Sequence, residues 1–449
     1  MKRKIYSELL HWKETEHGRV ALLIDGARRV GKSYIVKEFA RNEYRSHIII
    51  DFNRTGDNIR ELFDNYMSDL NLLFIYLQNI TGVRLYERES LIVFDEVQLC
   101  PRARAAIKYL VEDGRYDYIE TGSLVSINKN VKDIIIPSEE RRIKMHPMDF
   151  EEYLWAVGNE MLMPFIKTCF DNKKPLGPMH RKAMDLFRQY LIVGGMPQAI
   201  ARFVETVSFE ETDKVKRDII NLYKADIEKY ATGYEKKVKS IFEQIPAALQ
   251  RHEKRFRLSD IKSTARFREY ETSFFWLEES QVVNICWAST EPSIGLRMKQ
   301  DNMKLKCYMA DTGLLISMAF DEHSIVSEEL YRKLLLDKLE VNKGMLVENI
   351  VAQMLRASGH QLYFYSKSSR DNSEENMEID FLIQKRTVTN RHNISPIEVK
   401  SGKGYQLSSL RKAERKFGEQ LSTAYVIHSQ DLKEADGICY LPIYMTPLL

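Results

Sequence analysis

Lys32 and Ser33 follow Gly31 in the string DGARRVGKS, so a point charge and a hydroxyl stand side by side where a helix begins. With Gly26 and Gly31 freeing the backbone to curl, this GxxxxGKS stretch wraps amide N–H groups around phosphate oxygens, sets Lys32 against the β- and γ-phosphates and offers Ser33 to Mg²⁺. Gly26, Val30, Gly31, Lys32, Ser33 and Tyr34 are the candidate ATP contacts. A second string, SLIVFDEVQLCP (90–101), supplies what nucleotide hydrolysis also needs. Asp95 ends an apolar run where it can hold the shell of Mg²⁺, and Glu96 beside it can polarise the attacking water. Thr121 and Ser123, in ETGS, are candidate sensors of the γ-phosphate. Arg141 and Arg142 precede a last short strand, and either of them, with Arg142 the one taken as catalytic, could be a finger toward a neighbouring subunit's nucleotide, with a solvated pair of surface charges as the plain alternative. Near the C-terminus, PIEVKSGKG (396–404) places Glu398 and Lys400 one residue apart. Strand periodicity puts both on one face; with Asp380 upstream and Glu348 on a preceding helix they make a candidate hard-cation site in which Lys400 orients water.

These groups need elements to hold them. Val20–Ile24, SHIIIDFN, SLIVFD and YDYIETGS read as buried strands separated by helical stretches such as PRARAAIKYLVEDG, the alternation of a parallel sheet wrapped by helices with ligands at the C-terminal strand ends. After Pro147 the periodicity turns helical, and Gly194-Gly195 followed by Pro197 ends one helix. Between 235 and 290 the order is helix (EKKVKSIFEQIPAALQ), short helix with Ser259 as N-cap (RLSDIKST), helix (FREYETSFFWLEES) and strand (QVVNICWAS), which is winged-helix order. Arg251, Lys254, Arg255, Arg257, Lys262, Arg266 and Arg268 could meet DNA phosphates there, while Glu269, Glu271, Glu278 and Glu279 oppose it. A protein-docking module is the alternative. The last third reads helix, strand (361–365), polar turn, strand (378–384), strand (394–402).

Composition bounds the rest. A chain of 449 residues predicts several domains, each with room for a core. Its 67 Lys and Arg against 64 Asp and Glu exclude bulk polyelectrolyte binding and leave local basic patches. Five cysteines without CxxC spacing fit a reducing compartment and exclude a zinc knuckle or a disulfide frame. No apolar leader or run of about 18 apolar residues appears, so a cytoplasmic protein without a membrane partner is expected.

The strings DGARRVGKS, LIVFDEVQ, IETGS and RRIKMHPMDFEEYL, followed in order by YLIVGGMPQAI, YKADIEKY, KCYMADTGLL and NKGMLVENIVAQML, resemble the prokaryotic AAA-type ATPases that carry a conserved C-terminal domain of unknown function. The resemblance covers nearly the whole chain. It implies an ATP-binding domain of the ASCE type and no known substrate. The set Glu348, Asp380, Glu398 and Lys400 is similar to the PD-(D/E)xK nuclease core, with Ile379 where the proline would stand. The expected fold class is α/β: a P-loop NTPase parallel sheet (1–146), a helical lid (147–232), a winged-helix-like domain (233–325) and a restriction-endonuclease-like domain (326–449). The expected cofactors are ATP and Mg²⁺; the candidate partners are DNA or another nucleic acid, a protein, or further copies of the chain. The functional expectation is an ATPase whose nucleotide state controls a nucleic-acid-binding or nuclease-like half. The alternatives are an ATP-gated interaction switch with an inactive nuclease-like domain, and a nucleic-acid translocase.

Overall fold

The computed structural model describes residues 1–122, 138–251, 254–320, 328–335, 343–368, 375–385, 389, 391–402 and 404–449. Ser123 and the expected boundary at 325/326 lie outside the described residues. Two compact units divide the chain, Met1–His146 and Pro147–Leu449.

The first unit is built on five strands: β1 (Ala21–Asp25), β2 (Ser46–Asp51), β3 (Ser90–Asp95), β4 (Asp117–Gly122) and β5 (Glu140–Lys144). They pair in parallel in the order β2-β3-β4-β1-β5. A parallel sheet needs cover on both faces, which is why β1, β3 and β4 are buried along their whole length. One face carries Ala21, Leu23, Ile50, Phe94 and Tyr118 against Ala103, Ile107 and Leu110 of the helix Pro101–Asp113. The helix Lys32–Glu43 buries Ile35, Val36, Phe39 and Ala40. Arg141 and Arg142 lie inside β5 and do not precede it: the strand begins at Glu140, in register with Ala21, and alternation sends the two arginines to opposite faces.

The second unit contains one eight-stranded mixed sheet. Its strands are β6 (Val283–Ser289), β7 (Gln300–Met309), β8 (Tyr363–Lys367), β9 (Met377–Gln384), β10 (Ile394–Val399), β11 (Ala424–His428), β12 (Lys433–Ala435) and β13 (Ile438–Pro442). The order is β12-β13-β11-β10-β9-β8-β6-β7. The hairpin β6–β7 joins it through parallel pairing of β6 with β8, so residues of the expected winged-helix and nuclease-like segments share a sheet. The chain order from 343 onward is helix (Lys343–Ala357), three antiparallel strands β8, β9 and β10, helix (Ser408–Phe417), then β11 parallel to β10.

The helix expected over RLSDIKST is only the single 3-10 turn Leu258–Asp260. The segment lacks an apolar stripe, Ser259 lies inside the turn while Arg257 stands at its N-cap with no side-chain capping bond, and the backbone just before it is spent on β7 through Phe256 N–H to Leu305 O at 2.9 Å. Helices do form at Glu235–Gln250 and Phe267–Glu279.

The strings YLIVGGMPQAI, KCYMADTGLL and NKGMLVENIVAQML meet in one buried hydrogen-bond network. Asp311 accepts from Gly195 N at 2.5 Å and Leu314 N at 2.9 Å. Gln353 accepts from Thr312 N at 2.8 Å and donates to Tyr190 Oη at 3.1 Å, and Asn349 Oδ1 accepts from Met309 N at 2.8 Å. Polar groups this deep are kept because each is partnered.

Candidate nucleotide site and carboxylate–lysine cluster

The glycines of the first unit's turn have local reasons. Gly31 caps the helix Lys32–Glu43 at φ +98°, and a Cβ on Gly26 would stand 2.5 Å from Met145 O. Val30 is fully buried beneath the turn, whereas Tyr34 faces solvent. Lys32 is buried, and its Nζ donates to Gly26 O at 2.8 Å and Ala27 O at 3.1 Å. Burial pulls this ammonium below its ordinary pKa, opposed by Glu96, Asp25 and Asp95.

Two hydroxyls converge on one carboxylate oxygen. Ser33 Oγ donates to Asp95 Oδ1 at 2.7 Å, and Thr121 Oγ1 donates to the same atom. This follows from the topology: β3 and β4 are neighbours, so their C-terminal ends bring Asp95 and Thr121 together beside the first turn of the P-loop helix. Glu96 follows with φ +56°, a left-handed conformation rare outside glycine, its N–H 3.4 Å from Thr121 Oγ1. Gln98 Nε2 donates to Glu96 Oε2 and thereby orients the candidate base. Sequence reasoning missed Gln98; a glutamine two residues past the acidic pair, with an apolar residue between, is the signal that could have found it. An all-oxygen donor set of hydroxyl and carboxylate suits a hard ion such as Mg²⁺, and the turn leaves no room for a Cβ where a phosphate-wrapping backbone must pass, so the residues fit Mg²⁺ and ATP.

Arg142 is not gathered into this group. Its Nε lies 3.3 Å from Glu140, which also pairs at 2.9 Å with the fully buried Arg104, and Arg104 in turn reaches Glu120 at 3.4 Å. Arg141 pairs with Glu16.

The second unit brings all four C-terminal candidates into one cluster and adds residues that sequence reasoning did not assign to it. Val399 N donates to Asp380 Oδ2 at 2.8 Å, and Lys400 Nζ donates to Glu398 Oε2 at 2.7 Å. Lys306, on β7, stands among the carboxylates: its Nζ is 3.1 Å from Glu348, 2.9 Å from Glu378 and 3.7 Å from Asp380. Glu348 also accepts from Lys254 and the Tyr308 hydroxyl. Lys306 and Glu348 are each 1% exposed. Burial would lower the Lys306 pKa, but Glu348, Glu378 and Asp380 together hold it well above its ordinary value. Burial likewise opposes ionisation of Glu348, yet Lys306 and Lys254 bring it down to about 2. Burial and the neighbouring Asp380 push Glu398 up to about 8 against Lys400, and burial with Glu348 raises Asp380. Among the described residues no group of three or more His, Cys, Asp or Glu side chains is arranged to hold a metal. The expected ligands are present, but the Lys306 ammonium stands against two of them, Glu348 and Asp380, and Lys400 against the third, Glu398, so the set does not fit a divalent ion. A lysine inside the otherwise uncharged, largely apolar run LKCYMA is the sequence signal for that first ammonium. Lys254, a candidate DNA contact by sequence, is a member of this cluster.

Residues 18–154 match the family model described as an AAA domain. The N-terminal unit thus resembles AAA-type P-loop ATPases. Residues 184–324 and 343–445 match two models each described as a domain of unknown function, DUF8612 and DUF4143. No curated protein sequence matches the chain. Solved structures similar to it include the Walker-type ATPase PABY2304 of Pyrococcus abyssi, at 15% identity over 71% of this chain and 95% of that one with a TM-score of 0.43. The Orc1 protein of Aeropyrum pernix in complex with DNA is similar at 11% identity over 72% and 93% with a TM-score of 0.27, and Cdc6p of Pyrobaculum aerophilum at 12% over 76% and 96% with a TM-score of 0.26. No helix among the described residues is long and apolar enough to cross a membrane, and the five cysteines are buried and free.

Proposed function

We propose that this protein hydrolyses ATP at the Lys32–Asp95–Glu96 site and uses the nucleotide state to control its C-terminal half. The observation that carries the reading is the convergence of the Ser33 and Thr121 hydroxyls on one Asp95 oxygen, beside Glu96, at the C-terminal ends of parallel strands. Backbone amides of residues 27–33 bind phosphate oxygens, and Lys32 exchanges its loop carbonyl partners for them. Ser33 and Asp95 would hold Mg²⁺, which when bound neutralises phosphate charge. Glu96, oriented by Gln98, accepts a hydrogen bond from the attacking water and draws its proton away as the oxygen approaches phosphorus. Thr121, bonded to Asp95, links that carboxylate to the water side of the site. Arg142 would need a second copy of the chain to act, and a turnover steeper than linear in protein concentration is its test.

For the C-terminal half, the order helix, three antiparallel strands, helix, parallel strand supports a PD-(D/E)xK-like scaffold. Nucleic acid is the partner proposed, because Arg255, Arg257 and Lys304 line a groove of about 280 Å³ that also holds Phe267, a charged and aromatic lining suited to a phosphate backbone and a base. The alternative reading, an ATP-gated switch with a nuclease-like domain that does not cut, is favoured by Lys306 among the carboxylates. ATP turnover measured with and without single- and double-stranded DNA and RNA, with the polynucleotides then run on a gel, tests both. Turnover abolished by Glu96→Gln and stimulated by a polynucleotide supports the first; turnover insensitive to Glu96→Gln removes it.

A further inference from the structure

Bringing several carboxylates into one buried site is unfavourable unless positive charge enters with them. In a cation-dependent enzyme that charge is a divalent ion; here it is covalently part of the chain. Lys306 Nζ reaches Glu348 at 3.1 Å, Glu378 at 2.9 Å and Asp380 at 3.7 Å, three carboxylates from two different elements. Lys254 adds a second ammonium to Glu348, and Lys400 a third to Glu398 at 2.7 Å. Glu398 Oε1 is buried with no hydrogen-bond partner among the described residues, so the cluster retains one acceptor that its own lysines leave unmet.

We propose that Lys306 is a built-in counter-cation that takes the place of a divalent metal in this cluster, so that the native chain binds no metal there and removal of the ammonium opens a divalent-ion site on Glu348, Asp380 and Glu398. The inference rests on reading these carboxylates as a nuclease-like set, and it makes the set a closed junction in the native protein. Its chemistry is selective. A lysine offers one charge and three directional donors: Glu348 and Glu378 lie within hydrogen-bond reach of it and Asp380, at 3.7 Å, is held by charge, whereas Mg²⁺ or Mn²⁺ would require these oxygens at closer range and the ammonium elsewhere.

The test uses the full chain carrying Asp95→Asn, which removes the candidate magnesium ligand of the first unit, titrated with Mn²⁺ by calorimetry and by the spin-resonance signal of free Mn²⁺. The parent is expected to bind none at the cluster up to millimolar ion. Lys306→Gln is expected to gain one ion per chain with a dissociation constant on the order of 10⁻⁴–10⁻³ M, and Lys306→Gln/Asp380→Asn to bind none. Lys306→Arg, which keeps the charge, should gain none. Parent binding that disappears with Asp380→Asn overturns the proposal, as does a folded Lys306→Gln chain that gains no ion. Where Lys306→Gln is too unstable to titrate, its melting temperature carries the test: Mn²⁺ should raise it and leave Lys306→Arg unmoved, and equal shifts in both overturn the idea. ATP turnover, measured separately in the chain with Asp95 intact, reports on the nucleotide reading alone, so its failure is distinct from a failure here.

Discussion

Lys32 and Glu96 contribute differently, and kinetics should separate them. Lys32 meets phosphate in ground and transition states alike, so Lys32→Ala should weaken ATP binding by about tenfold or more. Glu96 acts on the attacking water, so Glu96→Gln should retain ATP while turnover falls about 100-fold or more. Filter binding beside phosphate release checks both, and equal losses of affinity and rate in Glu96→Gln would remove it as the base. His428 makes a separate prediction for pH. Its ring is buried, with Nδ1 3.1 Å from the Tyr405 hydroxyl, and burial pushes its pKa down to about 4 from 6.5. A depressed histidine leaves the native state neutral while the unfolded chain takes up a proton, so the contribution is intact above pH 6.5 and is lost as the pH falls toward 4. Unfolding at about pH 7 and about pH 4.5 should show wild type losing more stability than His428→Gln, by on the order of 2 kcal/mol. Parallel losses would show that this ring does not set the slope.

At the scale of elements, the glycines and acids of the second unit act as joints. Gly195 N–H is spent on Asp311 at 2.5 Å and its carbonyl accepts from Met148 N at 2.7 Å, leaving no room for a Cβ against Met148 O. Because the obstacle is backbone, Gly195→Ala should cost about 2–4 kcal/mol, read as a lower denaturant midpoint at unchanged slope. A change under about 0.5 kcal/mol would mean the turn relaxes freely. These joints explain what the sequence disclosed and what it withheld. The parallel sheet and the GxxxxGKS turn were legible because local pattern dictates them: a buried strand, a left-handed glycine and a helix start are written within a short stretch of chain. So was the helix Glu235–Gln250, expected over EKKVKSIFEQIPAALQ. The 3-10 turn at Leu258 was not, since tertiary pairing of Phe256 with β7 overrode a plausible N-cap. Nor was Lys306: its role depends on β7 lying over Glu348 and Asp380, residues 42 and more positions away in the chain. A single lysine cannot announce partners that only a non-local sheet supplies.

For the whole molecule, near balance of charge limits how a polynucleotide can be held. With a formal net charge of +3 the chain has no global field to attract phosphate, so any binding must come from a few exposed cations acting together. Apart from Arg255, which is half-buried, the basic residues that precede and open the helix Phe267–Glu279 fall into two kinds. Lys254 is turned inward onto Glu348, and Arg251 is paired with Asp260. Arg257, Lys262, Arg266 and Arg268 are exposed. If DNA docks on this face, replacing Arg266 and Arg268 together with alanine should weaken binding similarly for unrelated sequences and reduce the salt slope of log K by about 2, one for each phosphate no longer neutralised. Lys254→Ala should leave that slope unchanged and instead lower stability by on the order of 2 kcal/mol, because it strips one of the cations from a buried carboxylate. Fluorescence anisotropy across a salt series, with a denaturation curve for each variant, separates the two effects. A double arginine variant that binds DNA like wild type would leave this face to a protein partner, and a Lys254 variant that loses salt dependence without losing stability would mean that Lys254 serves phosphate in place of Glu348.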